Sequence, residues 1–570
     1  MHVTTAERLV ERYLALVIEH QPTQATALGD HSRDHDLPDL APTAVDAYSR
    51  AVSELLNETE AALAVIPPDA SGDDREARGD LDLLQRDLAA RRFWLETRPS
   101  LQVDPLAALA IVSSGVHELL RRIELGGEAA DMAAAAAIVR VQQTPRLLEQ
   151  AGALLEGVPA PHLDVALQRC RGLAGLLGDE LVREVVGAGG DHDAVAAASA
   201  EALAAVDAFA ALLDELRGQP AIDWRLGPDA HATVLRSALG TDMAGPDIAA
   251  RADAALSEAC AELAELAGSA WADLVGPGPA PTDADERTRC LLRAIADRRA
   301  VGRDDLESEA RTAVEEARAF ALASGLTDVP PADLLSIREV PPFLQGIGVA
   351  FITPPPPLEP EQGCVFYLSP VPDHFDDAMA TSFLREYNGA ALRSLAVHEG
   401  YPGHFVQLAH AGEHPRLARR LLGSSAFAEG WAVYIERLVA LRGFGDLDYR
   451  VTQLKMALRV ATNALLDVSL HAGNLDDTRA IELMAGRAFQ ERQEADGKLV
   501  RAKVTSGQLS SYFVGGEEMR QLRADREAAL GTDFDEVAFH RAVLSHGTPT
   551  TATVRAALAD PAAVVRRPFA

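Results

Sequence analysis

At 570 residues the chain is long enough for several domains, at roughly 150 residues each, and for a large buried core. Its 48% hydrophobic and 24% charged residues are the balance of a soluble globular protein. A formal charge of −32 argues against nucleic-acid binding, which needs clustered Lys and Arg against phosphate, and favours solubility instead.

The opening MHVTTAERLVERYLALVIEHQ has no basic segment followed by an uninterrupted apolar core and a small-residue cleavage site, so no secretory signal is expected. Thr4 to Glu7 fits a capping box, and Leu9, Val10, Tyr13, Leu14, Val17 and Ile18 form a helical stripe behind it. No run of about 18 uncharged apolar residues predicts a membrane span. Cys170, Cys260, Cys290 and Cys364 are scattered without a C-x-x-C pair, as small core residues in a reducing compartment would be.

Amphipathic, Ala- and Leu-rich helices are predicted near 44–65, 74–95, 105–123, 129–156, 161–186, 192–217, 246–268 and 284–324. Pro67-Pro68, Gly126-Gly127, Gly187 to Gly190, Pro220 and Gly276 to Pro281 break them. No 20–50-residue period marks a solenoid. Lone polar residues in this half, such as His117 and Asp104, are expected to be solvated or capping.

The texture changes at about 326, where Pro and Gly separate short β-like runs at Leu335–Val340, Val349–Thr353 and Cys364–Leu368. The run Pro354 to Pro357 must be extended. Such a sheet either offers an edge to a substrate backbone or packs as a plain hairpin on the helices. A long helix is predicted from about 376 to Glu399, then helices at 415–422 and 426–441 and a helical closing region from about 449 to 558.

His398-Glu399 and, six residues after His398, His404 form an H-E-x-x-x-x-H sequence. In H-E-x-x-H the histidines share a helix face, offset by about 40°, whereas an i, i+6 pair is offset by about 240°. A regular helix would therefore turn His404 away from a shared metal. Gly400, Pro402 and Gly403 permit a break or bulge that returns it, because Pro removes a backbone donor and Gly admits left-handed dihedrals. The alternative is an ordinary helix end at Gly400 with a capped His and Glu.

Longer blocks give the motif its context. HEGYPGHFVQ at 398–407 and FAEGWAVYIERL at 427–438 resemble the bacterial family known as domain of unknown function 885, whose pattern is close to HEGYPGHxxQ and then FxEGWAxYxE. The segment QPTQATALGDHSRDHDLPDL, DVSLH at 467–471, GQLSSYFVGG at 507–516 and FDEVAFHRAVLSHGTP at 534–549 resemble further family blocks, so the likeness spans almost the whole chain. The resemblance implies a gluzincin-type zinc peptidase with a helical fold similar to thimet oligopeptidase. It implies His398, His404 and Glu429 as ligands of one zinc ion and Glu399 as general base. Glu436, seven residues after Glu429 and on the same helix face, is a rival ligand or a partner behind the ligands. The second oxyanion donor is sought in the C-terminal blocks, at Tyr512, His540 or His546; Tyr512 matches the family's Gln-x-x-x-Tyr and is preferred. His471 is expected to orient substrate or to bond Asp467.

Two imidazoles and a carboxylate leave tetrahedral zinc an open position, as in catalytic sites. With Glu399 to move the water's proton to the leaving amine, the implied chemistry is amide hydrolysis. The chain departs from the family before Gln508, where Glu-x-x-Arg-Tyr and Pro-Gly-Gln are usual: it carries Lys498, Arg501, Ala502, Ser506 and Gly507. Asp-Thr-Gly-Leu-His becomes Asp-Val-Ser-Leu-His at Asp467, and Val460 and Asn463 stand where Arg is usual. Specificity is therefore not transferable from a relative.

The sequence thus predicts a mainly α, two-lobed, metallopeptidase-like fold with a small β-sheet near an active-site cleft, with a helical lobe at 1–325 and a catalytic lobe at 326–570, or the two intertwined as one domain. Its expected activity is that of a cytoplasmic zinc metallopeptidase acting on short peptides, without nucleic-acid or membrane partners. Two alternatives stand beside it: a zinc hydrolase of a non-peptide amide or ester, and a helical binding protein that keeps zinc without turnover.

Overall fold

Helices make up most of the chain, and their ends follow the Pro and Gly punctuation of the sequence closely. The structure, a computed structural model, describes residues 2–219, 222–341, 350–560 and 565–569. It is mainly α with one three-stranded sheet among the described residues. The first helix, His2–His20, begins ahead of the predicted capping box, so Thr4 lies in its first turn and does not cap it. Several predicted helices are split. The 129–156 helix breaks between Val141 and Thr144, just before Pro145; the 284–324 helix breaks around Val301-Gly302; and a π-type turn at Leu176–Glu180, kinked at Gly178, divides 161–186.

The chain forms two compact units: Met1–Trp224 with Pro341–Gln345 and Pro356–Glu359, and Arg225–Val340 with Gly346–Pro355 and Pro360–Ala570. The boundary expected at 325/326 therefore falls inside the second unit. The reason is packing: the Gly245–Ser269 helix lays Ile248, Leu256 and Leu263 into one core with Val451, Leu454 and Leu458 of the Leu447–His471 helix. The compositional change at 326 marks the sheet, not a domain edge.

In the first unit the core is built from Pro105–Ile123, Gly127–Val141, Thr144–Leu154, Ala160–Gly175 and His192–Leu216, with small Ala133, Ala137 and Ala202 in one cluster with Leu119, Leu147 and Phe209. The His192–Leu216 helix is long and apolar enough to cross a membrane by length and composition, with Glu201 and Asp207 inside it. In the fold its Val195, Ala198, Ala202, Val206, Phe209 and Leu213 are buried as one stripe of that core. Asp104, expected to be capping, accepts from Leu106 N at 3.0 Å.

The Pro-x-x-Ala-Thr-x-x-Gly block also has a structural role. Pro22 opens a short helix, Ala25 is fully buried, and Gly29 closes it at φ 89°, a left-handed cap only glycine adopts easily. Thr26 Oγ1 donates to Asp34 (2.8 Å), and the fully buried Arg140 donates to Thr26 Oγ1 (2.9 Å) and to the Gly115 carbonyl (2.8 Å). Asp34 also accepts from Arg122 at 2.6 Å.

In the second unit the sheet order is β1 (Leu335–Glu339), β3 (Cys364–Leu368), β2 (Ala350–Thr353), with β1 parallel and β2 antiparallel to β3. Val349, predicted to start β2, lies outside the described residues. All five residues of β3 are buried, as a central strand requires. The long helix predicted to end at Glu399 is interrupted: Asp377–Glu386 stops, and Asn388 caps a new helix, Gly389–Leu395, by accepting from the Ala390 and Ala391 amides.

Candidate metal centre

The six-residue spacing between the histidines is resolved by a change of backbone at Ala396–Gly400. There the helix widens into a π-type turn that contains His398 and Glu399, and after Tyr401, Pro402 and Gly403 a new helix, His404–Gly412, begins at the second histidine. His398 and His404 thus belong to different helical segments, and the 240° phase difference does not apply. Gly403 is required for this re-entry: a Cβ there would lie 2.1 Å from the His398 carbonyl oxygen and 2.2 Å from that of Val397. Trp431, fully buried, fixes the turn from the opposite helix by donating Nε1–H to the Pro402 carbonyl at 3.0 Å.

The helix Ser425–Leu441 supplies the carboxylates. Ser424 caps it, its Oγ accepting from Phe427 N. Glu429 Oε2 lies 3.2 Å from His404 Nε2 and 3.4 Å from His398 Nε2, and the two imidazole planes are nearly perpendicular, 4.7 Å between centroids. One donor atom from each of His398, His404 and Glu429 lies within 4.8 Å of the others. Glu436 sits behind this group: His398 Nδ1 donates to its Oε1 at 2.5 Å, which orients the ring so that Nε2 faces Glu429 and is the nitrogen that would ligate a metal. The donor set, two imidazole nitrogens and one carboxylate oxygen with an oriented histidine, fits zinc.

The electrostatics are those of a tight cluster. Burial pulls the His398 imidazole down, but hydrogen bonds to Glu429 and Glu436 outweigh it and hold it well above its ordinary value. Burial likewise raises Glu429, and the two histidines override it and hold the carboxyl far below the carboxylate range. Glu399, buried next to His398 in sequence, is raised, first by burial, with the histidine charges opposing and Glu429 and Glu436 adding to it.

Tyr512 stands beside this group. The Tyr512 ring lies 6.3 Å from that of His398 at 26°, and burial, then the Glu429 charge, raise its phenol so that it keeps its proton. Its hydroxyl accepts from Gln508 Nε2 (3.3 Å) and Arg501 Nη2 (3.4 Å). His546 is on the buried turn after Glu536–Leu544, where its carbonyl accepts from Arg419 Nη1; the neighbouring Thr548 hydroxyl takes a bond from Gln407, one turn along from His404. His540 is structural: Nδ1 donates to the Leu326 carbonyl at 3.0 Å and Nε2 accepts from the Tyr434 hydroxyl at 2.8 Å.

Asp467 and His471 are not at the cluster either. Asp467 accepts from the Gly507 and Ser510 amides, the Ser510 hydroxyl and His231 Nε2, so it holds the start of the Gln508–Leu530 helix that carries Tyr512. His471 stacks on His231 at 4.9 Å and bonds the Thr505 carbonyl, in place of the bond to Asp467 expected from its i, i+4 position. Sequence reasoning missed His231, which stands more than 200 residues from Asp467, and the role of Arg501, noted only as one position in an altered block.

Solved structures share this fold. A protein described as a "putative lipoprotein of unknown function" from Shewanella oneidensis matches at 25% identity with a TM-score of 0.79, over 97% of this chain and 99% of that one. A "putative lipoprotein" from Colwellia psychrerythraea matches at 17% identity with a TM-score of 0.75, over 97% and 98%. No curated protein matches the chain. The family described as "Bacterial protein of unknown function (DUF885)" matches residues 22–558, and the chain belongs to that family.

Proposed function

We propose that the protein is a zinc-dependent hydrolase, a metallopeptidase of short peptides. The observation that carries this reading is the convergence of His398, His404 and Glu429, with their donor atoms within 4.8 Å, beside a buried glutamate that is not one of the three. A purely structural site has no need of that fourth group. Bound zinc supplies Lewis acidity towards the scissile carbonyl and brings the pKa of a water to about 7.

The remaining steps fall to side chains of this chain. Glu399, whose proton affinity burial raises, accepts the proton of the attacking water and delivers it to the leaving amine. Glu436 keeps the His398 ring in one orientation. Tyr512, protonated and beside His398, donates to the carbonyl oxygen as negative charge develops on it. The four cysteines are free thiols, which fits the cytoplasmic, reducing setting we propose.

The test is metal content by elemental analysis on wild type and Glu399→Gln, with both assayed on a mixed short-peptide library. About one zinc in each protein, with cleavage by wild type alone, is the expected result. No zinc retained when zinc is supplied and no chelator used overturns the ligand assignment. Zinc retained without cleavage of any peptide overturns the peptidase reading.

A further inference from the structure

Beyond Tyr512, on the side away from Glu429, the second unit gathers four cations, Lys498 buried and the others half-buried, around two carboxylates. Lys455 and Arg459 of the Leu447–His471 helix and Lys498 and Arg501 of the Arg492–Val504 helix face two carboxylates, Glu386 and Glu494. Lys455 Nζ is 2.7 Å from Glu386, Arg459 pairs with Glu494 and lies 3.8 Å from Glu386, and Lys498 Nζ is 3.5 Å from Glu494. Glu494 also accepts from the Tyr387 hydroxyl at 2.6 Å. The nearby Glu491 is matched by Arg385 at 3.7 Å and does not alter the balance.

Arg501 acts on Glu494 through its charge but touches no carboxylate. Its Nη2 donates to Gln508 Oε1 at 2.6 Å and to the Tyr512 hydroxyl at 3.4 Å, both neutral, and among the described residues it forms no ion pair. Burial, with Arg459 adding, pulls the Lys498 ammonium down to about 7, as expected of an ammonium among excess cations. If Lys498 is neutral, one positive charge still exceeds the two carboxylates. In a chain of net charge −32 this excess is local and specific. Half-buried charges are normally matched, and an unmatched guanidinium is suited to an anion from outside, because its planar fork takes a carboxylate through two parallel bonds.

Its position says which anion. One tyrosine side chain separates Arg501 from His398: the Tyr512 ring is against the imidazole and its hydroxyl is against the guanidinium. Two residues of extended peptide span about 7 Å, so a peptide with its scissile bond at the metal ligands reaches Arg501 with a carboxylate one or two residues downstream. We propose that Arg501 binds the free C-terminal carboxylate of the substrate, so that the enzyme removes one or two residues from the C-terminus of short peptides. This rests on the hydrolase reading above.

The test compares a short peptide with its C-terminal amide, in cleavage by the zinc-loaded enzyme and in calorimetric binding to metal-free protein. Wild type, Arg501→Gln and Arg501→Lys are each checked for native unfolding midpoints. Loss of a charge-assisted bond predicts that Arg501→Gln lowers kcat/KM and affinity for the free acid by about 10–100-fold more than for the amide, any shared loss reporting the bond to the Tyr512 hydroxyl; Arg501→Lys recovers part of the difference. Equal treatment of acid and amide by wild type, or an equal loss on both in Arg501→Gln, overturns the proposal. If no variant cleaves anything, the hydrolase reading fails, and the binding comparison still decides whether Arg501 recognises a carboxylate. Release of internal fragments without C-terminal trimming also overturns it.

Discussion

Gly515 and Gly430 meet where the Gln508–Leu530 and Ser425–Leu441 helices cross: a Cβ on Gly515 would lie 1.8 Å from the Ala426 carbonyl oxygen and 2.8 Å from Gly430 Cα. Glu429 is next to one glycine and Tyr512 one turn before the other, so this contact sets the approach of the phenol to the carboxylate. Gly515→Ala is expected to cost more than the ~1–3 kcal/mol typical of overpacking, because the clash is with backbone. Gly516→Ala, whose Cβ would meet the Val433 side chain at 2.9 Å, should stay at the lower end of that range. Urea unfolding of both variants checks the order; a Gly515 variant as stable as wild type would mean that the helices separate freely.

Glu436→Gln should leave the fold intact and weaken zinc affinity by about 10–100-fold. The amide keeps the size of the carboxylate but not the charge that orients the His398 ring through the 2.5 Å bond. Competition against a chromogenic chelator measures the change. An unaltered affinity would show that Glu436 only fills space behind His398.

These residues also show how much the sequence carried. His398, His404 and Glu429 were legible because the motif blocks are contiguous, and the break between the histidines was legible from Gly400, Pro402 and Gly403. Its form, a π-type turn with a fresh helix at His404, was not, since such a turn depends on carbonyls that no pattern of residue types specifies. The division into units was not legible at 325/326, because Ile248 and Leu256 look the same from sequence whichever helix covers them. Asp467, His231 and His540 were indistinguishable from catalytic groups: each is a buried polar side chain whose structural role depends on a distant partner. Arg501 is the converse, since its significance lies in a missing counter-charge.

His540 makes stability depend on pH. Burial holds its imidazole at about 4, against about 6.5 unfolded, with the bond to the Leu326 carbonyl opposing only in part. Between those values the unfolded chain binds a proton that the native state does not, so stability falls as pH drops from about 6.5 to 4, by up to about 3 kcal/mol from this group. His540→Gln should be less stable than wild type at pH 7 by about 1–3 kcal/mol, and the gap should shrink towards pH 4. Parallel denaturant titrations at pH 7, 5.5 and 4.5 read it; a constant gap would mean that His540 protonates in the folded protein as readily as in the unfolded one.

Tyr512 and His546 make opposite predictions for turnover. Tyr512 stands against the His398 ring, and burial keeps its phenol protonated across the neutral range, the state a donor needs. A donor aimed at developing charge acts on the transition state more than on bound substrate. Tyr512→Phe should therefore lower kcat by about 10²–10³ with KM nearly unchanged and zinc content equal to wild type. His546 is buried and is not one of the three converging donor residues, so His546→Gln should lower the unfolding midpoint and leave kcat of the folded, zinc-loaded enzyme within about threefold, the scale of an indirect packing effect. Steady-state kinetics on both variants separates the two: a collapse of kcat in His546→Gln with Tyr512→Phe unaffected would transfer the donor role to the histidine.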